Sequence, residues 1–341
     1  MNRSLDVAVL GATGAVGEAM ISILAERDFP VGRLYPLASS RSAGAKIEFK
    51  NQRLTVENVE EFDFSRVRIG LFSAGASVSA DHAPRATAAG CVIIDNTSCF
   101  RYDDDVPLVV PEVNEAAIGD FRARGIIANP NCSTIQMVVA LKPLYDAVGI
   151  ERINVSTYQA VSGTGKEAMK ELSAQVRAWA QGAPMNYPSV YPKQIAFNAL
   201  PHIDAFMENG YTREEMKMLW ETRKILGDHG IGVNATCVRV PVFYGHSEAV
   251  HIETRAKLGA EEARELLQQA PGVVVMDERA DGGYPTAAID SAGTDPVYVG
   301  RIREDISHPR GLCMWIVSDN VRKGAALNSI QIAECLASGY L

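Results

Sequence analysis

The sequence predicts an α/β protein in which a doubly wound parallel sheet is followed by a second, α+β domain with a broad mixed sheet. Two observations predict this. In the first 150 residues or so, short apolar runs alternate with amphipathic stretches, which is typical of a parallel sheet covered by helices. From about residue 151 the strand-like runs are longer and alternate between apolar and polar residues, which is typical of a half-exposed sheet.

The individual elements follow from the same patterns. In the first part we expect strands at Leu5–Leu10, Arg33–Ala38, Val67–Phe72, Cys91–Ile94 and Ile126–Ala128, and helices at Gly14–Arg27, Val78–Ala89 and Ser133–Val148. In the second part we expect strands at Arg152–Ala160, Asn234–Val242, Ser247–Lys257 and Gly311–Ser318, and helices at Gly165–Gln181 and Glu214–Leu226. A last helix, Val321–Leu336, follows three residues that commonly cap helices, Ser318, Asp319 and Asn320.

The first strand leads directly into a glycine-rich turn and then a helix. The turn has the spacing Gly-x-x-Gly-x-x-Gly, at Gly11, Gly14 and Gly17. One glycine permits the tight turn, the next lets the backbone approach a pyrophosphate, and the third lets helix and strand pack closely. Because the pattern follows a strand and opens a helix, it predicts dinucleotide binding on a Rossmann-like sheet.

The loop after the second strand bears on which dinucleotide binds. A site that prefers NAD usually has Asp or Glu here, bonded to the ribose 2′-hydroxyl. This chain has Ser39, Ser40, Arg41 and Ser42 instead. Hydroxyls and a guanidinium suit a 2′-phosphate, so we expect NADP. A solvated surface loop would have a similar composition.

A cysteine stands at the start of a predicted helix. The segment Asn129–Thr134 begins with an extended Asn-Pro corner, and apolar residues then recur at helical spacing. Cys132 would lie at the positive end of the helix dipole, which favours the nucleophilic thiolate. The alternative is a small buried apolar residue, as most free cysteines are.

Two further segments place polar groups at the ends of strands. One strand ends near Gln159 and is followed by a turn with Ser162 and Gly163. Arg239 lies in an otherwise apolar strand, and His246 follows in the next turn, where a histidine is usually at the surface. A buried guanidinium needs a partner, and a substrate carboxylate would be a suitable bidentate one.

Composition argues against several classes of protein. With 33 Lys and Arg against 41 Asp and Glu, the chain has a formal net charge of −8, which argues against a nucleic-acid or anionic-membrane surface. The six cysteines form neither a disulfide framework nor a zinc signature. His246 and His251 would point to opposite faces of a strand, so we expect no metal site. The N-terminus resembles neither a signal peptide nor a membrane span, and we expect a cytoplasmic protein.

Taken together, these segments resemble aspartate-β-semialdehyde dehydrogenases. The resemblance is carried by Gly11–Gly17, Asn129–Thr134, Gln159–Gly163 and Arg239–His246, and by two further segments, Asp95–Arg101 and Val106–Asn114. These motifs occur in order and at the spacing of the family, from Met1 to about Gln331. Cys99 and Thr164 stand where the family pattern suggests alanine.

The resemblance implies a phosphorylating, NADP-dependent aldehyde dehydrogenase. In the cell it would reduce β-aspartyl phosphate to aspartate semialdehyde and phosphate through a thioacyl enzyme, on the route to lysine, methionine and threonine. Cys132 would be the nucleophile and Gln159 would orient the substrate. His246 would be the general acid and base, a role for which the ordinary histidine pKa of about 6.5 is suitable.

The resemblance also implies the binding residues. Arg101 and Lys217 would bind phosphate, Arg239 would bind the α-carboxylate, and Glu214 and Asn131 would also contact the substrate. Lys217 lies in a charged helix, where a lysine is ordinarily solvated. The cofactor-binding residues would be Gly11, Thr13, Gly14, Ala15, Val16, Ser39, Arg41, Ser42, Ser162, Gly163 and Gln331.

For the domains, the resemblance implies an NADP-binding part at 1–131 plus 320–341, on which the last helix would pack with its apolar face. The catalytic and dimerisation domain would span 132–319, and its sheet would carry a homodimer interface. Alternatives are an N-acetyl-γ-glutamyl-phosphate reductase, a non-catalytic NADP-binding paralogue, and a cysteine hydrolase that uses Cys132 and His246.

Overall fold

The computed structural model describes residues 4–185 and 189–341. The chain forms two compact units, one with the residues up to Asn131 together with Ala325–Leu341, the other with Cys132–Gly324. Residues 320–324 group with the second unit, whereas the boundary expected from the sequence falls at 320.

Each unit contains both strands and helices. The strands are β1 (Leu5–Leu10), β2 (Val31–Ala38), β3 (Lys46–Phe49), β4 (Gln52–Thr55), β5 (Glu57–Asn58), β6 (Ile69–Phe72), β7 (Val92–Asp95), β8 (Ile126–Ala128), β9 (Ile150–Gln159), β10 (Gly232–Arg239), β11 (His246–Thr254), β12 (Val273–Val275), β13 (Val297–Glu304) and β14 (Gly311–Ser318). The helices are α1 (Ala15–Glu26), α2 (Ala76–Ala88), α3 (Pro111–Asn114), α4 (Cys132–Val148), α5 (Lys166–Ala180), α6 (Arg213–Leu226), α7 (Ala260–Gln269) and α8 (Leu327–Gly339). Within the described residues, none of these helices is long and apolar enough to cross a membrane.

The first unit is built on a parallel sheet with the strand order β5-β2-β1-β6-β7-β8. From β1 the chain proceeds to β2 on one side and later reaches β6 on the other, so the strand order reverses between β1 and β6. In doubly wound sheets, ligands bind at this reversal, outside the carboxyl ends of the strands. This sheet confirms the Rossmann-like part of the predicted fold class. The hairpin of β3 and β4 has no counterpart among the predicted elements.

One hydrophobic core holds the first and last elements of this unit together. Val9 of β1, Leu24 of α1 and Ile332 of α8 are fully buried and belong to the same cluster. The last helix therefore lies in the first unit. Its α-helical part begins at Leu327 rather than at Val321, since a π-helical turn precedes it.

The second unit is built on a mixed sheet with the strand order β10-β9-β11-β14-β13-β12. β9 and β10 are parallel, whereas β11 is antiparallel to both β9 and β14. The helix α4 packs on this sheet. Side chains alternate between the faces, and partly exposed Tyr158 and Trp315 have ring centroids 5.6 Å apart. This mixed sheet confirms the predicted α+β part of the fold.

Some element bounds differ from those predicted. β10 ends at Arg239 rather than at Val242, because Pro241 has no N–H with which to continue the ladder. The strands β12 and β13 and the helix α7 were not predicted, since β12 is very short and charged residues interrupt the apolar runs of the other two.

Two glycines determine the shape of the turn between β1 and α1. Gly11 has a φ of 90°, in the left-handed region that favours glycine. A Cβ on Gly17 would overlap the carbonyl oxygen of Gly11. The helix α1 can therefore approach this turn closely only because residue 17 has no side chain.

Gly17→Ala should lower the free energy of unfolding by about 1–3 kcal/mol, the usual cost of forcing a methyl group into a packed site. Gly339→Ala is the control, because a Cβ there would meet no atom within 4 Å. We expect the control to be as stable as the wild type or slightly more stable. Urea unfolding curves compare the variants, and equal stability of the two would contradict the close packing.

Candidate active site

Three strand ends bring polar side chains to one edge of the sheet in the second unit. Gln159 ends β9 and Arg239 ends the neighbouring parallel strand β10, and the two residues are paired in register. β11 runs in the opposite direction, so its first residue, His246, lies at the same edge. All three side chains are buried.

His246 is completely buried, which corrects the expectation of a surface histidine in a turn. Its Nδ1 accepts a hydrogen bond from the N–H of Ala160 at 3.0 Å, so the neutral ring carries its proton on Nε2. Nε2 has no hydrogen-bond partner among the residues that the structure describes. Burial and the charge of Arg239 lower the pKa of His246 to about 3, rather than leaving it near 6.5. The ring is therefore neutral near pH 7.

Arg239 and Gly163 border the space beside His246. Arg239 donates from Nη1 to the carbonyl oxygen of Ala160 at 2.7 Å, while its Nε lacks a hydrogen-bond partner in the described part of the chain. A Cβ on Gly163 would lie 3.1 Å from Nη1 of Arg239 and 3.5 Å from Nε2 of His246. The glycine thus leaves room in front of both groups. A buried guanidinium with donors to spare is a suitable partner for a carboxylate.

The helix α6 supplies a cluster of charges to the same site. Gln159 donates to Oε1 of Glu214 at 3.2 Å, and Lys217 donates to Oε2 of Glu214 at 2.9 Å and to Asp204 at 2.8 Å. The side chain of Lys217 is only 12% exposed, so it is not the solvated lysine that a charged helix suggests. Burial lowers the pKa of Lys217, but the two carboxylates outweigh burial and raise the pKa overall. Asp204 escapes sequence analysis because it lies in a loop, 13 positions before Lys217, where no helix or strand periodicity relates the two residues.

Asn320 is a second site residue that sequence analysis misses. Its Oδ1 accepts from the N–H of Gly245 at 2.9 Å, and its Nδ2 donates to Oγ of Ser162 at 3.0 Å. It thereby ties the turn before β11 to the turn after β9. In the sequence, Asn320 is only one of three residues that commonly cap helices. In the structure the capping residue is Asp319, which accepts hydrogen bonds from the backbone N–H groups of Val321 and Arg322. The sequence signal that could have identified Asn320 is its position soon after the end of β14.

Cys132 is the first residue of α4 and is partly exposed. Gly324 packs against it, since a Cβ on Gly324 would lie 2.7 Å from Cβ of Cys132. One turn further along α4, Gln136 donates to the carbonyl oxygen of His246 at 3.4 Å. Because residues one turn apart share a helix face, the end of α4 that bears the thiol lies towards the start of β11.

In the first unit, the predicted pyrophosphate-binding residues 11–16 form the turn from β1 to α1. The helix begins after Gly14, which offers no side-chain cap, so its first N–H groups are suited to bind an anion. A Cβ on Gly11 would lie 2.9 Å from Oγ of Ser73, so this turn packs on the turn after β6, at the reversal of strand order. These features fit a bound dinucleotide.

The other predicted residues of the first unit lie around the same sheet. Ser39 and Arg41 are exposed in the turn after β2, where Ser42 is partly exposed. Arg101 is buried, and its Nη2 donates to the carbonyl oxygen of Asn96, just after β7, at 3.0 Å. Two predicted site residues remain. Gln331 of α8 donates a hydrogen bond to Glu112 at 2.8 Å. Asn131 is 7% exposed.

The described residues contain no group of His, Cys, Asp and Glu that could hold a metal ion. His251, the second histidine of β11, pairs instead with Asp305, with 2.7 Å between Nε2 and Oδ2.

The fold and the site together define a semialdehyde dehydrogenase. Residues 6–121 match the family model described as "Semialdehyde dehydrogenase, NAD binding domain". Residues 141–323 match the model described as "Semialdehyde dehydrogenase, dimerisation domain".

Comparisons with individual proteins show which family of semialdehyde dehydrogenases the chain belongs to. The aspartate-semialdehyde dehydrogenase of Legionella pneumophila is 63% identical over 100% of this chain and 98% of its own length. The crystal structure of aspartate semialdehyde dehydrogenase II from Vibrio cholerae, complexed with ASA, has a TM-score of 0.97 and 57% identity, covering 99% of this chain and 100% of that one. The Candida albicans enzyme with NADP has a TM-score of 0.75 and 27% identity, covering 98% of each chain. The chain therefore belongs to the aspartate-semialdehyde dehydrogenase family and is an enzyme of this kind.

Lys217→Met should destabilise the second unit, because it removes a cationic partner from the buried carboxylate of Glu214. Breaking a buried ion pair on one side costs about 3–5 kcal/mol, and we expect a loss of at least about 2 kcal/mol here. Lys170→Met is the control, since Lys170 and Glu167 form an exposed pair, 72% and 75% exposed. It should cost less than about 0.5 kcal/mol. Denaturant unfolding measures both losses, and equal values would rule out a buried charge cluster at Lys217.

Proposed function

We propose that this enzyme is NADP-dependent and phosphorylating, and that in biosynthesis it reduces β-aspartyl phosphate to aspartate semialdehyde and phosphate. The products would lead to lysine, methionine and threonine. The observation that supports this most is the buried edge formed by Gln159, Arg239 and His246, with Cys132 on the helix that packs beside it. This arrangement combines a nucleophile, a proton carrier and a carboxylate binder.

Cys132 would act as the nucleophile. In the oxidative direction its thiolate sulfur bonds to the aldehyde carbon and the aldehyde oxygen takes a proton, which gives a thiohemiacetal. Loss of a hydride from carbon and of the proton from oxygen leaves a thioester on Cys132. A phosphate oxygen then attacks the thioester carbonyl, the C–S bond breaks, and aspartyl phosphate leaves the restored thiolate. NADP, when bound, supplies the hydride acceptor, and biosynthesis is the reverse sequence.

His246 would carry the proton of the substrate oxygen. In the oxidative direction His246 must give a proton to the aldehyde oxygen as the thiolate adds, and take it back when the hydride leaves. In the reductive direction it must give a proton to the same oxygen after the hydride has been added. Both steps require a protonated ring and therefore a pKa higher than the value of about 3 found without substrate. The charge of Arg239 is one cause of the lowered pKa, so a substrate carboxylate that neutralises Arg239 would raise it again. Substrate binding would thus raise the pKa of His246, so that the ring can carry and donate a proton.

The remaining polar residues would hold the two ends of the substrate. Arg239 would bind the α-carboxylate through its bidentate fork, and Gln159, anchored on Glu214, would orient the reacting group. Lys217, a point charge held between two carboxylates, would bind phosphate. For Arg101, Asn131 and the other contacts of Glu214, the substrate-binding roles stay predictions from the family resemblance.

NADP rather than NAD would be the cofactor. The turn Gly11–Val16 and the uncapped start of α1 would hold the pyrophosphate. Ser39, Arg41 and Ser42 would hold the 2′-phosphate, since no acidic residue is present at this point to select the 2′-hydroxyl. The contacts of Ser162, Gly163 and Gln331 with the cofactor stay predictions.

The chain would form a homodimer through the second unit. The matching family model for residues 141–323 is described as a dimerisation domain. On one face of the sheet Tyr158 is 37% exposed and pairs with the ring of Trp315, and exposed apolar surface of this kind marks interaction sites. A two-fold axis is the commonest way to close such an interface.

Cys132→Ala should abolish the phosphate-dependent formation of NADPH from aspartate semialdehyde, with a fall in kcat of at least about 1,000-fold. The alanine removes the nucleophile and leaves the helix start intact. Cys335→Ala is the control, because Cys335 is also partly exposed but lies in α8, and it should keep the wild-type rate. Circular dichroism and NADP binding should be unchanged in both. Substantial activity of Cys132→Ala would show that the nucleophile is wrongly assigned.

Arg41→Ala should raise the KM for NADP about tenfold or more and leave the KM for NAD nearly unchanged, because only NADP has a 2′-phosphate to lose its charged partner. Arg53→Ala removes another exposed arginine of the same unit and should change neither value. Steady-state kinetics with each cofactor measure the effect. Equal changes in the KM values of both cofactors would show that Arg41 does not bind the 2′-phosphate.

Arg239→Leu should chiefly raise the KM for aspartate semialdehyde, whereas Lys217→Met and Arg101→Leu should chiefly raise the KM for phosphate. The loss of a charged contact costs on the order of 1.5–3 kcal/mol, or about ten- to a hundredfold in apparent affinity. Each substrate is varied separately, at a temperature where circular dichroism shows every variant folded. If Arg239→Leu affected phosphate saturation alone, the two roles would have to be exchanged.

A further inference from the structure

The second unit encloses several polar atoms that lack hydrogen-bond partners among the described residues. Among them are both carboxyl oxygens of Glu248, Oε1 of Gln136 and Oγ of Ser318. All three residues are at most 1% exposed. Buried polar groups in proteins are nearly always hydrogen-bonded, so a cluster of exceptions beside a reaction site needs an explanation.

Glu248 and Gln136 each lie close in the chain to one of the two residues that would react, His246 and Cys132. Glu248 follows His246 by two residues in β11 and therefore shares its face of the strand; in register it lies opposite Thr157 of β9. Gln136 follows Cys132 by one turn of α4. The Gln136 amide lies near the Glu248 carboxyl and also donates to the carbonyl oxygen of His246 at 3.4 Å. Gln136 thus connects the cysteine helix with the histidine strand, and Glu248 stands next to that connection.

The surroundings of Glu248 favour its neutral, protonated form. Burial raises its pKa well above the ordinary value, and the amide of Gln136 opposes only part of this effect. The titratable groups near it are His246 on its own strand, which is neutral, and Cys237 of β10, whose pKa is raised chiefly by burial and also by the charge of Glu214. A neutral carboxyl has an O–H to donate, and Oε1 of Gln136 is an acceptor with no other partner among the described residues.

We propose that Glu248 is a positioning residue for the dehydrogenase reaction: its carboxylic acid donates to Oε1 of Gln136 and orients that amide so that Nε2 donates to the backbone carbonyl of His246. Both ends of the amide are then used. The relay ties the start of α4 to the start of β11 and so fixes the spacing of Cys132 and His246 without touching the substrate. It rests on the proposed function, because that function makes these two residues the reacting pair.

Two substitutions of Glu248 separate positioning from a merely structural role. Glu248→Gln keeps a neutral donor in the same place and should keep kcat within about twofold of the wild type. Glu248→Met has similar volume but no donor, and it removes a costly buried acid, so it should melt at the same temperature or higher. Its kcat should nevertheless fall at least tenfold, with the KM values for semialdehyde and phosphate nearly unchanged.

Two further variants complete the test. Gln136→Leu should lower kcat by a similar factor, and the double variant Glu248→Met/Gln136→Leu should be no worse than either single one, because all three break the same relay. Thr222→Val is the matched control; it removes another buried hydroxyl without a partner among the described residues, on α6, and should leave kcat unchanged.

Steady-state kinetics and thermal melts of the full-length enzyme and its variants test the positioning role of Glu248. Wild-type kcat in Glu248→Met, failure of Glu248→Gln to keep activity, or losses of activity that only follow losses of stability would overturn the positioning role. Lack of phosphate-dependent NADPH formation by the wild type would instead contradict the proposed function, so the two failures are distinguishable.

Discussion

The site depends on the cost of burying Arg239 beside His246. A buried guanidinium is tolerated only with partners, and Arg239 has the carbonyl of Ala160 but keeps a donor to spare. Its charge and the burial together keep His246 neutral. A bound carboxylate would satisfy the guanidinium and release the histidine from this effect. In this account, the affinity for the substrate and the acidity of the catalytic histidine are therefore two consequences of one interaction.

The neighbouring groups follow from the same constraint. Glu214 and Asp204 both pair with Lys217, so that several charges can be buried near one another, and Glu214 also accepts a hydrogen bond from Gln159. Uncharged amides hold the backbone: Asn320 joins the turns that carry Ser162 and Gly245, and Gln136 reaches the start of β11. In the first unit, the proposed pyrophosphate site would consist of backbone N–H groups rather than charged side chains. The glycines of the turn after β1 let this backbone pack closely.

The parts of the fold and of the site that depend on residues close together in the chain were predictable from the sequence. The strand, turn and helix around Gly11 and the helix start at Cys132 are local patterns, and the structure has them within a residue or two of the predicted bounds. The burial of His246 was not predictable in this way, because it depends on the register of β9 and β11, whose residues are far apart in the chain. The pairing of Lys217 with Asp204 was not predictable either, because Asp204 lies in a loop and no periodic pattern relates it to α6. Glu248 reads as an ordinary polar residue of an alternating strand until the sheet is assembled around it.

The most direct measurement is mass spectrometry of the covalent intermediate. The full-length enzyme would be mixed with aspartate semialdehyde and NADP without phosphate, quenched in acid, and digested for peptide mapping. We expect an aspartyl thioester on the peptide that contains Cys132, formed in step with one equivalent of NADPH and lost when phosphate is added before the quench. An adduct on another cysteine, or NADPH formation with no adduct and no need for phosphate, would contradict it.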